Sequence, residues 1–155
     1  MQILNFIWIA IAVVIDQLTK LYISSHMTLY QSIKVIENFF YITYAQNTGA
    51  AWSMGQGLGD LFAILALGVS LGLMWYYHKN RDTLSILERW SVMLIVPGAL
   101  GNMIDRIIHG YVVDFLDFYI FGYDFPIFNV ADSFLTVGVG LLILDLIVNK
   151  ENTNG

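Results

Sequence analysis

The chain has no cysteine, which excludes disulfides, thiolate nucleophiles and zinc-cysteine sites. Charge is nearly as scarce. Only 12% of the 155 residues are Asp, Glu, Lys or Arg while 57% are hydrophobic, whereas soluble domains carry about a quarter charged residues. A mean hydropathy of +0.66 names lipid as the solvent. Seven basic residues against twelve acidic ones leave a net charge of -5 and no basic patch, so a nucleic-acid partner is excluded. Met1 to Ile15 lacks both a basic n-region and a small-residue cleavage site, so this segment is read as a retained first span. His26, His78 and His109 are scattered, fit no HExxH spacing and read as surface residues, so neither metal nor cofactor is expected. No internal repeat or low-complexity segment is present, and the tail KENTNG is expected to fray.

What the chain does have is long apolar runs. A helix needs about 20 residues to cross a bilayer core, and four segments approach this, at about 3–22, 60–77, 90–108 and 130–148. The expected fold is an integral-membrane, mainly α single domain over 1–155 with four transmembrane helices and a small extracytoplasmic β-sheet. The second span is uncharged and ends in Trp75, Tyr76 and Tyr77, the aromatic belt of a membrane interface. Four spans place both termini on one side. Lys79, Arg81, Arg89 and Lys150 fall there too, which makes that side cytoplasmic by the positive-inside rule. The polar ends of spans one, three and four then converge at the outer face. The segment VIENFFYITY, Val35 to Tyr44, is β-branched and aromatic and suits a sheet on the membrane surface, about 28–48. Residues 109–129 are read as a loop whose Gly122 to Pro126 turn can fold the chain back.

Ionisable groups inside spans cost about 2.5–3.5 kcal/mol each on insertion scales. Asp16 and Lys20 share a helix face at i,i+4 and are expected to pair. Asn102, Asp105 and Arg106 form one polar stripe, Asn102 and Arg106 with a binding or orienting role and Asp105 with a structural one. Asp114 can approach Asp132, although Asp117 and Asp124 compete and each carboxylate has the alternative of a solvated loop residue. Asp132 opens the run FNVADSFLTVGVGLLILDLIV, where an N-cap or first-turn position would satisfy backbone donors. Ser133 is expected to help that helix start, and Asp145 is read as a snorkelling residue near the cytoplasmic end. A Ser-Lys hydrolase using Lys20 or Lys34 is conceivable, but nothing selects a serine.

Five blocks in order, DQLTK at Asp16 to Lys20, QNTGAAW at Gln46 to Trp52, GALGNMIDR at Gly98 to Arg106, VVDF at Val112 to Phe115 and FNVADS at Phe128 to Ser133, closely resemble the bacterial lipoprotein signal peptidases. This family, signal peptidase II, comprises aspartic peptidases of the inner membrane. The resemblance implies a catalytic dyad of Asp114 and Asp132, substrate contacts from Asn47, Asn102, Arg106 and Asn129, and support from Asp16, Lys20 and Gly49. It also makes the surface sheet a cradle for substrate and places an aromatic at Trp52. The implied reaction is cleavage before a cysteine that carries a diacylglyceryl thioether. The implied partners are a diacylglyceryl-modified prolipoprotein and membrane lipid, for a chain expected to be a monomer. The N-terminus departs from many members in lacking basic residues. Gly55, Gly57 and Gly59 permit movement of the surface loop. Two other readings remain: a small membrane carrier or proton relay, which needs polar groups throughout the membrane depth, and a metal-dependent hydrolase using the outer aspartates.

Overall fold

The computed structural model describes residues 2–49 and 57–153. Trp52 and Gly55, and with them the end of the QNTGAAW block, lie outside the described residues. Four helices are long and apolar enough to cross a membrane: α1 (Gln2–His26), α2 (Gly59–Asn80), α3 (Ile86–His109) and α4 (Val130–Thr153). α4 continues through Lys150 to Thr153, so the first four residues of the expected frayed tail are helical, and Asn154 and Gly155 lie outside the described residues. Between them lie β1 (Ser32–Ile36), β2 (Phe40–Asn47), β3 (Val112–Ile120) and β4 (Tyr123–Asp124), an antiparallel sheet in the order β1-β2-β3-β4.

The expected loop over 109–129 is therefore largely strand. β3 is buried on both faces over Val112–Phe115, because Val113 and Phe115 pack with Tyr44 onto Ile23 of α1 and Met27 just after it, while Val112 and Asp114 face a cavity. Asp117, weighed as a solvated carboxylate, is likewise buried in β3 and accepts a hydrogen bond from Thr43 Oγ1, whereas Asp124 is exposed. A register shift in β2 between Ile42 and Ala45 brings Ala45 opposite Asp114 and Asn47 opposite Val112.

α3 is the central helix, and α1, α2 and α4 all pack on it. It starts with a capping box in which Ser85 accepts from the Glu88 amide and Glu88 accepts from the Ser85 amide. Ser85 also donates to Asp145 of α4, which is 5% exposed, so Asp145 is a buried interhelical partner and not a snorkelling residue. Gly98, Gly101 and Gly138 let α3 and α4 approach closely: a methyl at Gly98 would meet the Ala131 carbonyl and one at Gly101 the Asp16 carboxylate. Pro97 lies inside α3 and cannot donate to the carbonyl four residues earlier, that of Met93. The Trp8 indole of α1 donates to that same carbonyl at 3.1 Å, so a neighbouring helix satisfies the group that proline leaves open.

An ion cluster completes the packing. Lys20 Nζ lies 2.9 Å from Asp16 and 3.2 Å from Asp105, with all three side chains at 3% exposure or less. Asp16 Oδ1 accepts from the Ala131 amide in the first turn of α4, and Asp105 Oδ2 accepts from the Val113 amide of β3. Gln17 Nε2 donates to Asp105 and to the Gly101 carbonyl. Three helices and the central strand are thus tied to two carboxylates.

Two outcomes follow for unfolding in detergent. Lys20→Met leaves buried carboxylates without their cation and should cost about 3–5 kcal/mol; a wild-type unfolding midpoint would show that the cluster anchors nothing. Trp8→Phe orphans the Met93 carbonyl and should cost about 1–3 kcal/mol more than the same change in a Pro97→Ala background, where the helix supplies its own donor. Equal costs in both backgrounds would refute the pairing.

Candidate active site

The approach of Asp114 to Asp132 is built by chain return. After the Phe121-Gly122 turn, where both residues have positive φ, the chain runs back along β3 until Phe128 is hydrogen-bonded to Leu116 in both directions. Asn129 follows immediately. Its side chain accepts from the Asp132 amide at 2.9 Å, and Asp132 Oδ2 accepts from the Asn129 amide at 3.2 Å. This reciprocal pair is a capping box with Asn129 as the N-cap. Asp132 is therefore a first-turn residue and the cap itself is Asn129, and Ser133 contributes a hydrogen bond to the Asn129 carbonyl.

The amides between the two carboxylates have one consistent orientation. Lys20 only donates, so the Asn102 atom 2.9 Å from Nζ is its oxygen. Asn102 Nδ2 then donates to Asp132 Oδ1 at 2.7 Å. Asn129 Nδ2 donates to Asn102 Oδ1 at 3.1 Å and to Asp114 Oδ1 at 2.7 Å. Asn47 Nδ2 donates to the other Asp114 oxygen at 3.1 Å. Each carboxylate thus accepts two hydrogen bonds and keeps lone pairs for a further donor.

Both carboxylates line a cavity of about 720 Å3 whose remaining wall is mostly apolar, with Phe62 and Leu65 of α2 facing Leu135 of α4. Burial first, and then the negative charge of Asp132, push the Asp114 carboxyl up to about 7, against the hydrogen bonds from Asn47 and Asn129 that favour its ionised form. Arg106 stands at the same cavity, stacked over Phe62, with its guanidinium donating to the carbonyls of Gly49 and Asn102. Its Nε is buried and has no hydrogen-bond partner among the described residues. Gly49 closes the ring by donating from its amide to Asn47 Oδ1.

Asp114, Asp132, Asn47, Asn102, Arg106, Asn129, Asp16, Lys20 and Gly49 all fall in or directly behind this cluster. Lys20 stands behind it and touches it through Asn102, and Asp16 stands behind it on Lys20 and the Ala131 amide. Gln17 was passed over, although it binds Asp16, Asp105 and the α3 backbone together; its place next to Asp16 in a span otherwise apolar was the available signal. Among the described residues no group of His, Asp and Glu side chains is arranged to hold a metal ion.

The family described as Signal peptidase (SPase) II matches residues 8–148. The lipoprotein signal peptidase of Alteromonas mediterranea is 41% identical over 160 residues, covering 98% of this chain and 87% of the relative. That of Staphylococcus aureus is 44% identical over 147 residues, covering 94% and 90%. Among solved structures, a bacterial membrane enzyme determined by the in meso method at 2.3 Å resolution superposes with a TM-score of 0.88 at 40% identity, covering 96% of this chain and 90% of the other. A second, at 1.9 Å resolution, gives 0.81 at 41% identity, covering 92% and 91%. With this site geometry, this coverage and these identities, the chain belongs to the signal peptidase II family.

Proposed function

We propose that this chain removes the signal peptide from prolipoproteins by cutting before a cysteine that carries a diacylglyceryl group, with Asp114 and Asp132 as its catalytic pair. The observation that carries the reading is that two carboxylates from separate elements share one cavity, and that the charge of Asp132 helps to hold the Asp114 proton up to about 7. Two carboxylates that share a cavity and act on each other's charge hold one proton between them near neutrality, and the titration belongs to the pair.

The ionised carboxylate takes a proton from a water as that water attacks the scissile carbonyl. The protonated one donates to the forming oxyanion and then assists departure of the amine. No acyl-enzyme forms. Asn47, Asn102 and Asn129 hold the pair and present amide groups to a peptide main chain, and Arg106 offers its guanidinium to a peptide carbonyl. The apolar part of the cavity, between α2 and α4, takes the diacylglyceryl chains. Lys79, Arg81 and Arg89 lie at the helix ends remote from the site, which supports a cytoplasmic placement of that end and of both termini, with the site near the outer leaflet of the bacterial inner membrane. A carrier or proton relay is disfavoured because Asp16, Asp105, Asp114 and Asp132, which would line its pathway, cluster at one end and α2 carries no charge between Leu61 and Tyr77.

Purified protein in detergent, with chelator present, should cleave a diacylglyceryl-modified prolipoprotein and spare its unmodified twin. Asp114→Asn and Asp132→Asn should each lower turnover by at least about 10²–10⁴-fold; full activity in either variant would overturn the pairing. Loss of the shared proton should make kcat/KM fall as pH rises through about 7. Asn47→Ala removes a hydrogen bond that favours ionised Asp114, so it should move that alkaline limb to higher pH. An unmoved or lowered limb would show that Asn47 does not tune the pair.

A further inference from the structure

A second cavity, of about 310 Å3, lies at the opposite end of the helices, between the start of α1, the end of α2 and the start of α3. Its walls include Leu4 and Trp8 of α1 and Ile86 and Trp90 of α3, with the two indoles edge to face at 6.2 Å. Leu4, Ile86 and Trp90 are 66%, 66% and 48% exposed, so the cavity opens on the apolar flank of the helices. Two polar groups interrupt this apolar wall. One is Tyr77, 8% exposed, whose hydroxyl accepts from Asn5 Nδ2 at 2.7 Å and makes no other hydrogen bond among the described residues, which leaves its own proton to donate. The other is Arg89.

Arg89 is in an unusual place for a cation. It sits in the first turn of α3, where the helix dipole disfavours positive charge. Its Nε donates to the Leu84 carbonyl at 3.1 Å, which pins the guanidinium beside the cavity. Among the described residues no carboxylate pairs with it: Arg81 has Asp82, Lys34 has Glu37, and Lys20 has Asp16 and Asp105. The nearest acid in sequence, Glu88, is held by the Ser85 amide and the Tyr76 hydroxyl. A fork of guanidinium donors and an unused hydroxyl proton thus stand beside one apolar slot.

We propose that this cavity binds one anionic phospholipid of the leaflet opposite the candidate active site, its phosphodiester on Arg89 and one acyl chain against the wall formed by Leu4, Ile86 and the Trp8–Trp90 pair. Its volume is at the low end of the range of about 300–1,000 Å3 for ligand pockets and suits a single chain. A planar guanidinium binds phosphate oxygens in pairs. A zwitterionic headgroup would add a second cation next to Arg89, so a lipid with net negative charge is favoured.

The test is native mass spectrometry of the full chain exchanged from detergent into phosphatidylglycerol or phosphatidylcholine, with inorganic phosphate as a third arm. Wild type should retain one phosphatidylglycerol per chain under conditions that strip phosphatidylcholine. Arg89→Gln should weaken that retention about tenfold or more, Arg89→Lys should keep part of it, and Lys79→Gln should leave it unchanged. A matching rise in thermal midpoint with phosphatidylglycerol, absent in Arg89→Gln, should accompany binding. Equal retention of phosphatidylcholine, retention by Arg89→Gln at the wild-type level, an equal loss in Lys79→Gln, or displacement by inorganic phosphate alone would each overturn the proposal.

Discussion

The structure depends on one buried lysine. Lys20 makes it tolerable to bury Asp16 and Asp105 in the membrane-spanning part of the fold, and those carboxylates in turn satisfy the first turn of α4 and the edge of β3. Its third contact fixes the Asn102 amide. From there the donor direction runs without choice through Asn102 and Asn129 to both candidate carboxylates. A buried polar network is favourable only when every member is satisfied, and here the cation that balances the charge also decides which way each amide points. Packing of α1 on α3 and orientation of the site are therefore one requirement.

The same economy holds at the start of α4. Asp132 accepts from the Asn129 amide in a capping box and from Asn102, so the helix end holds the carboxylate while the carboxylate completes the helix end. A charged group at the head of an apolar helix is consistent with the dipole, and the greasy run behind it needs no compensation for it. The strand return at Phe128 sets the distance to Asp114 independently of either helix.

Much of this was legible in the residues. The four spans follow from apolar length alone, and the pairing of Asp16 with Lys20 follows from helical spacing. β3 was hidden because it has no alternation to read: one face meets the α1 core through Val113 and Phe115, while the other carries Val112 and Asp114 to the cavity. Asp117 looked solvated for the same reason. Asp145 was misread because nothing in its own helix indicates that Ser85, sixty residues earlier, comes to meet it. Asn129 and not Asp132 is the cap because either residue type can cap, and only the position of the first helical turn decides. The role of Trp8 required two distant facts at once, a proline in α3 and an indole in α1.

α2 stands apart from its neighbours in one respect. It packs along α3 but leaves a gap toward α4, and the larger cavity opens through that gap past Leu65, Val69 and Val137, each about half exposed to the surrounding lipid. A molecule that enters there arrives from within the bilayer plane. Encounter is then two-dimensional, governed by the mole fraction of reactant among lipids and by lateral diffusion, so dilution with inert lipid slows the enzyme even when the concentration in the tube is constant.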